Sequence, residues 1–253
     1  MSELRFTGPD GPVTLAYDLD PGDPAAPTVV YCHGLFSGRN GHRATTIRAW
    51  CREVDWSLLR FDFRGRGDSS GSVRELTLTR HLEDLEAVLG VLPEKVRPIL
   101  FGSSLGGLAA AWFAACHPDR VAACALVAPA FSVIDTLLVE AGIEDAARWK
   151  RDRVRRLRKD ETDFELDYAI VEDAGGYPER LLHSTYRTPT LVAHGTEDAV
   201  VPVRRSVDFA ERVRPGLVDL HLFAGGDHQL HGCMEEILAL LAGFVRRRLP
   251  GGI

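Results

Sequence analysis

The chain has 253 residues, 45% of them hydrophobic, with 30 Lys and Arg against 36 Asp and Glu and a formal net charge of −6. That length and balance suit one water-soluble globular domain, able to bury roughly 70–75% of the surface its unfolded form exposes. The mild acidity argues against a general nucleic-acid binder. No apolar run approaches the ~18 residues of a membrane-spanning helix. The start, Met1 to Phe6, has neither the basic nor the apolar region of an export signal, so a cytoplasmic location is expected. The five cysteines, Cys32, Cys51, Cys116, Cys124 and Cys233, form no C-x-x-C pair and read as reduced thiols.

In chain order, Leu4–Phe6 and Val13–Tyr17 flank a turn rich in Gly, Pro and Asp, the pattern of a hairpin. Thr28 to Cys32 is an apolar, β-rich run that suits a central strand, and it ends in His33-Gly34-Leu35-Phe36. A helix is expected from about Arg43 to Val54, then a strand from Ser57 to Phe61 and a glycine-rich loop from Asp62 to Gly71. Thr77 caps a helix marked by Leu82, Leu85, Val88 and Leu89. Ile99–Phe101 is the next strand, an alanine-rich helix follows Gly106, and Val121–Val127 is a further strand. The alternation of strands and helices breaks between Phe131 and Thr188, a charged stretch with no strong strand pattern, read as a helical insert. It resumes with the strand Pro189–Ala193, a helix near Arg205–Val213, the strand Val218–Phe223 and a last helix, Met234–Arg248. Such alternation implies a largely parallel sheet with right-handed crossovers.

Between the Ile99 strand and the alanine-rich helix, Gly102-Ser103-Ser104-Leu105-Gly106 fits G-x-S-x-G. Strand, serine turn and helix make the context of a nucleophile elbow, in which the flanking glycines remove Cβ atoms that would clash. A nucleophilic serine needs a base to take its proton and an acid to orient that base. In an open α/β sheet both belong on loops at the carboxyl ends of strands. The loop after Ala193 reads His194-Gly195-Thr196-Glu197-Asp198-Ala199-Val200-Val201-Pro202 and offers Asp198 as the acid, with Glu197 its competitor. The loop after Phe223 offers His228 as the base, with His231 second. His228 and His231 also form an H-x-x-H pair, but no further matching pair completes a zinc site. The oxyanion of the tetrahedral intermediate needs backbone N–H donors, for which Leu105, directly after the serine, and Leu35, with Phe36 as second choice, are the candidates. His33 reads as a residue bracing its loop, and the Cys32–His33 neighbours point to opposite faces of a strand.

On these residues the chain resembles the α/β-hydrolase superfamily over nearly its whole length. The shared features are the His33-Gly34 loop, the Arg64–Ser70 loop, the Gly102–Gly106 elbow, and Ser104, Asp198 and His228 in the order serine, acid, histidine. Leu59 to Gly71 together with Gly226-Asp227-His228 is similar to a carboxylesterase and acyl-thioesterase branch that includes mitochondrial palmitoyl-thioesterases able to cleave acyl glucuronides. The resemblance implies a single α/β-hydrolase domain over 1–253 with a lid insert at 131–188. It implies a serine hydrolase that needs no cofactor and takes a small-molecule ester or thioester. Peptidase or C–C hydrolase chemistry on the same residues, or a ligand-binding scaffold without chemistry, are the alternatives. The oxyanion loop lacks both H-G-G-G and H-G-G-P-G, which disfavours the esterase group carrying the first and the iminopeptidases carrying the second. In the insert, Val133, Ile134, Leu137, Leu138 and Val139 are candidates to line an acyl pocket or to pack the insert onto the sheet. The basic run Arg148–Lys159 reads as a solvated helix face paired with Asp160, Glu161, Asp163 and Glu165, with attraction of an anionic substrate group as the alternative.

Overall fold

The computed structural model describes residues 2–132, 145–159 and 162–249. Among these residues the strands are β1 Ser2–Gly8, β2 Gly11–Asp20, β3 Thr28–Cys32, β4 Ser57–Phe61, β5 Ile99–Ser103, β6 Ala123–Val127, β7 Val154–Lys159, β8 Thr162–Asp167, β9 Thr190–Gly195 and β10 Val218–Phe223. The helices are α1 His42–Glu53, α2 Leu78–Leu89, α3 Leu105–Cys116, α4 over 145–152, α5 Ala169–Ala174, α6 Glu179–Thr185, α7 Arg204–Arg212 and α8 Met234–Arg248. Eight strands form one sheet in the order β1-β2-β4-β3-β5-β6-β9-β10. The β1–β2 and β2–β4 pairs are antiparallel and every later pair is parallel.

The central strands are continuous apolar runs because both of their faces are covered. Alternate residues enter two cores. Val30, Leu59, Leu100, Leu126 and Val192 pack with α2, α3 and Phe209 of α7 on one side. Val29, Leu58, Phe101, Ala125 and Leu191 pack with Ala44, Ile47 and Cys51 of α1 and with Ile237, Leu241 and Phe244 of α8 on the other. Thr77 caps α2 as its position in the sequence implies, its side chain accepting from the Arg80 N–H.

The helical reading of the insert is corrected here. Besides α4, α5 and α6, the stretch between β6 and β9 holds an antiparallel hairpin, β7–β8. The basic run therefore splits between a helix, 145–152, and strand β7. One of its charges is paired across strands, Arg156 lying opposite Glu165 and donating to it at 3.0 Å, while Arg148 pairs with Asp145 and Arg153 with Asp167 and Glu172. Leu157 lies opposite Phe164, and Leu166 is fully buried under the hairpin. The apolar candidates Val133 to Val139, and Asp160 and Glu161, lie outside the described residues.

The insert is attached through side chains. Within it, Trp149 is buried and donates to the Leu166 carbonyl at 3.1 Å, and the ties to the sheet domain run from other residues. Asp173 accepts from the Thr79 N–H at 3.1 Å and from its hydroxyl, and the Tyr177 hydroxyl lies 2.8 Å from that same hydroxyl. Phe164 meets Phe36 edge to face at 4.7 Å, so the hairpin reaches the loop after β3.

Candidate active site

At the end of β5 the chain turns through Ser104 with φ 51° and ψ −119°, a region that residues bearing a Cβ rarely occupy. The surroundings hold it there. The Ser104 N–H donates to the Val127 carbonyl at 3.0 Å, and its own carbonyl accepts from Gly107, Leu108 and Ala130 at 2.9, 3.1 and 3.0 Å. The glycines on either side are required by close approach of backbone to backbone. A Cβ on Gly106 would sit 2.1 Å from the Cys32 carbonyl oxygen, and one on Gly102 would sit 2.6 Å from the Gly107 Cα. The start of α3 is thereby pressed against the ends of β3 and β5, with the serine at the apex.

The candidate acid and base come from neighbouring strands. Asp198 follows β9 and His228 follows β10, and the two loops lie back to back: a Cβ on Gly195 would fall 2.1 Å from the Gly226 carbonyl oxygen. Backbone bonds hold them so, from the Glu197 N–H to the Gly226 carbonyl at 2.9 Å and from the Thr196 N–H to the Phe223 carbonyl at 2.9 Å. His228 Nε2 is 3.1 Å from Ser104 Oγ, and its Nδ1 is 2.7 Å from Asp198 Oδ2. A neutral imidazole with its proton on Nδ1 satisfies both contacts, donating to Asp198 and accepting from the serine hydroxyl. The three residues singled out in the sequence thus form one hydrogen-bonded line.

Asp198 is fixed more firmly than the sequence reading anticipated. Its side chain has no exposed surface. Oδ1 accepts from the Val200 and Val201 N–H groups, both at 2.8 Å. Oδ2 is shared between His228 and His194 Nε2, the latter at 3.0 Å. Burial alone would raise the Asp198 carboxyl, but the hydrogen bonds from His194, His228 and Val201 outweigh it and hold the group well below the usual carboxylate range. His194, which sequence reasoning left without a role, holds the candidate acid in place. Its Nδ1 lies 2.7 Å from Ser206 Oγ and its Nε2 also reaches the Val201 carbonyl at 3.0 Å. The signal was present in the spacing: the first His and the Val of H-G-x-x-D-x-x-V-P are the residues that grip the Asp between them.

The competitors go elsewhere. Glu197 is exposed and is joined to the His loop by its backbone. His231 packs its ring against His42, centroid to centroid 4.7 Å, and burial beside Arg43 and His42 lowers its pKa. Among the described residues no group of three or more His, Cys, Asp or Glu is placed to hold a metal ion. Cys32 is fully buried, which pushes its thiol up and away from nucleophilic use.

Leu105 opens α3 directly after Ser104, where a helix leaves its first N–H groups without intrahelical partners. Leu35 follows Gly34, whose Cβ position lies 3.3 Å from the Ser104 Cβ. His33 braces this loop: its Nδ1 is 2.8 Å from the Gly34 carbonyl oxygen, and its Nε2 accepts from the Phe63 N–H at 3.0 Å. Burial lowers the His33 pKa to about 4, so the ring stays neutral and can donate and accept at once. Phe63 stacks in turn on His81, whose pKa burial lowers to about 3.

The Asp62–Gly71 loop is a structural tie. Gly67 has φ 50°, and a Cβ there would meet the Asp62 carboxylate at 2.1 Å. Ser69 and Ser70 hydroxyls accept from the Ala16 and Thr14 N–H groups of β2 at 3.0 and 2.8 Å. An open groove of about 930 Å³, bordered by Leu92, Lys95, Arg97 and Asp119, lies at the other end of β5, a full strand length from Ser104.

Residues 27–169 match the family model described as the alpha/beta hydrolase fold. The chain is 30% identical over 210 residues to a Bos taurus protein named palmitoyl-protein thioesterase ABHD10, mitochondrial, covering 81% of this chain and 68% of that one. Two solved structures align at 23% identity and share the fold. Alpha/beta hydrolase domain-containing protein 10 from mouse has a TM-score of 0.82, over 98% of this chain and 99% of that one. A crystal structure of a putative hydrolase from Agrobacterium vitis S4 has a TM-score of 0.86, over 96% and 98%.

Proposed function

The chain belongs to the alpha/beta hydrolase fold family and is a hydrolase of the ester-cleaving type; from that premise we propose that it works through an acyl-enzyme on Ser104. The observation that carries this reading is the unbroken line from Ser104 Oγ through His228 to Asp198.

In the mechanism, Ser104 Oγ attacks the acyl carbon as its proton passes to His228 Nε2. Asp198, kept ionised by its surroundings, stabilises the imidazolium through Nδ1. The oxyanion is received by the N–H groups of Leu105 and Leu35, each worth on the order of 3 kcal/mol of transition-state stabilisation. Collapse breaks the C–O or C–S bond, and the leaving alcohol or thiol takes the proton from His228. Water then attacks the acyl-enzyme, giving its proton to His228. The acid departs and the proton returns to Ser104. No part of the sequence calls for a cofactor.

The substrate class we infer is a carboxylic ester or thioester, supported by the likeness to the thioesterase named above; that it is carried by a small molecule is part of the proposal. Residues 131–188 are read as the cover of the acyl site, supported by the Phe164–Phe36 contact with the loop that carries Leu35. Among the described residues no helix is long and apolar enough to cross a membrane. A cytoplasmic location is part of the proposal; the relative named above is mitochondrial.

Turnover of p-nitrophenyl esters and matching acyl thioesters tests the assignment. Ser104→Ala and Asp198→Asn should each lower kcat on the order of 10⁴-fold. Glu197→Gln should leave it within about 2-fold, as expected for an exposed side chain away from the line. Loss in Glu197→Gln with Asp198→Asn active would reassign the acid.

A further inference from the structure

The acid and base loops are bonded to each other because β9 and β10 are neighbours, but the nucleophile stands on β5, with β6 between. Something has to set the distance across that gap. Apart from the His228–Ser104 contact itself, one side chain among the described residues ties the elbow to the His loop by hydrogen bonds. It is Arg43, in the first turn of α1.

Arg43 is 7% exposed and its guanidinium spans the two loops. Nη1 donates to the hydroxyl of Ser103, the residue before the nucleophile, and Nη2 donates to the carbonyl of Gln229, the residue after the base. The partners lie 60 and 186 residues away in the chain. Both are neutral, so neither repays the burial of the charge as a bonded carboxylate would. The Asp227 carboxylate helps from a distance. A planar fork with fixed donors suits this task, since it sets two acceptors at a fixed separation. The His loop is stiffened on its own side by Asp227, whose Oδ1 accepts from the Gln229 and Leu230 N–H groups at 3.0 and 2.8 Å. A displacement of the Gln229 carbonyl is thereby passed on to His228.

We propose that Arg43 is a positioning residue that sets the Ser104–His228 separation by clamping Ser103 to the Gln229 carbonyl. Its hydrogen bonds go to Ser103 and Gln229, not to Ser104 or His228 themselves. The proposal rests on the reading of Ser104 and His228 as nucleophile and base.

Three variants test it: Arg43→Met, which keeps most of the stem and deletes both donors; Arg43→Lys, which returns a charge and donors; and Ser103→Ala, which removes one acceptor. For a neutral p-nitrophenyl ester, Arg43→Met should lower kcat at least about 10-fold with KM within 2-fold, since misplacing reacting groups by an ångström costs on the order of 10²-fold. Arg43→Lys should recover part of that loss. Ser103→Ala should lower kcat by a smaller factor, and adding it to Arg43→Met should bring no further loss, because both cut the same tie. The rate of Ser104 labelling by a fluorophosphonate should fall in parallel with kcat. Wild-type kcat in Arg43→Met, or fully multiplicative losses in the double variant, would overturn the clamp. So would a kcat loss that vanishes once variants and wild type are compared at equal distance below their Tm. A wild-type protein that takes no label on Ser104 would instead overturn the hydrolase mechanism, so the two failures are distinguishable.

Discussion

The carboxyl end of the sheet and the described part of the 131–188 insert are held in place by different means. At the sheet end, backbone meets backbone at separations where no side chain fits: Gly106 against Cys32, Gly102 against Gly107, Gly195 against Gly226. The insert is held by side chains, through Asp173 on Thr79, Tyr177 on Thr79 and Phe164 on Phe36. Backbone contacts of the first kind fix positions within tenths of an ångström and tolerate no substitution. Side-chain contacts of the second kind can be exchanged one at a time at about 1 kcal/mol each. Under the proposed function, bond-breaking geometry and substrate choice are therefore separately adjustable.

The sharpest way to break that comparison is Gly195→Ala. Its methyl group would enter the Gly226 carbonyl and push the Asp198 and His228 loops apart. Activity should fall on the order of 10²-fold or more, measured as kcat on a neutral ester in protein that retains its circular dichroism. A variant with wild-type kcat would show that the two loops are not rigidly placed.

The second prediction concerns pH. His33 and His81 sit under the loop that carries Leu35, and both bind protons more weakly in the folded chain, with pKa values near 4 and 3 against an ordinary 6.5. A histidine lowered in this way gives its full contribution to stability above about pH 6.5. That contribution is lost as pH falls toward the folded pKa. At pH 5 each should have cost about 2 kcal/mol. Denaturant unfolding from pH 7.5 to 5 should show this loss, and His81→Phe should flatten the slope by roughly its share. An unchanged slope would mean that His81 is not held neutral by burial.

The insert gives the smallest effect. Phe164→Ala removes the edge-to-face contact with Phe36 and should cost roughly 1 kcal/mol of stability. It should raise KM for long acyl chains a few-fold while kcat for a short-chain ester stays within about 2-fold. A kcat loss as large as that of Gly195→Ala would join the two regions into one unit.

The sheet was legible in the sequence where both faces of a strand are buried. Thr28–Cys32 and Ser57–Phe61 stand where the apolar runs place them; the edge strand Val218–Phe223, which has no fully buried residue, and the helix Met234–Arg248 also stand at the expected bounds. The β7–β8 hairpin was not legible, because its charged residues match a solvated helix as well as a strand. Only the pairing of Arg156 with Glu165, nine residues on, distinguishes them. Ser104, Asp198 and His228 could be picked out because each follows a strand in a short pattern. Arg43 could not, since its role depends on what folding brings beside it. His194 lies within the acid's own motif, where the spacing held the signal. Arg43 lies in a helix whose sequence suggests an exposed cation, and nothing local indicates that it reaches Ser103 and Gln229.

The central claim is that Ser104 is activated by His228 and Asp198. It is tested most directly by treating the folded protein with a fluorophosphonate and locating the adduct by peptide mass analysis. One stoichiometric adduct is expected on the peptide containing Ser104, absent in Ser104→Ala and formed far more slowly in His228→Ala. Folded protein that takes no label on Ser104, or labels equally fast without His228, would contradict it.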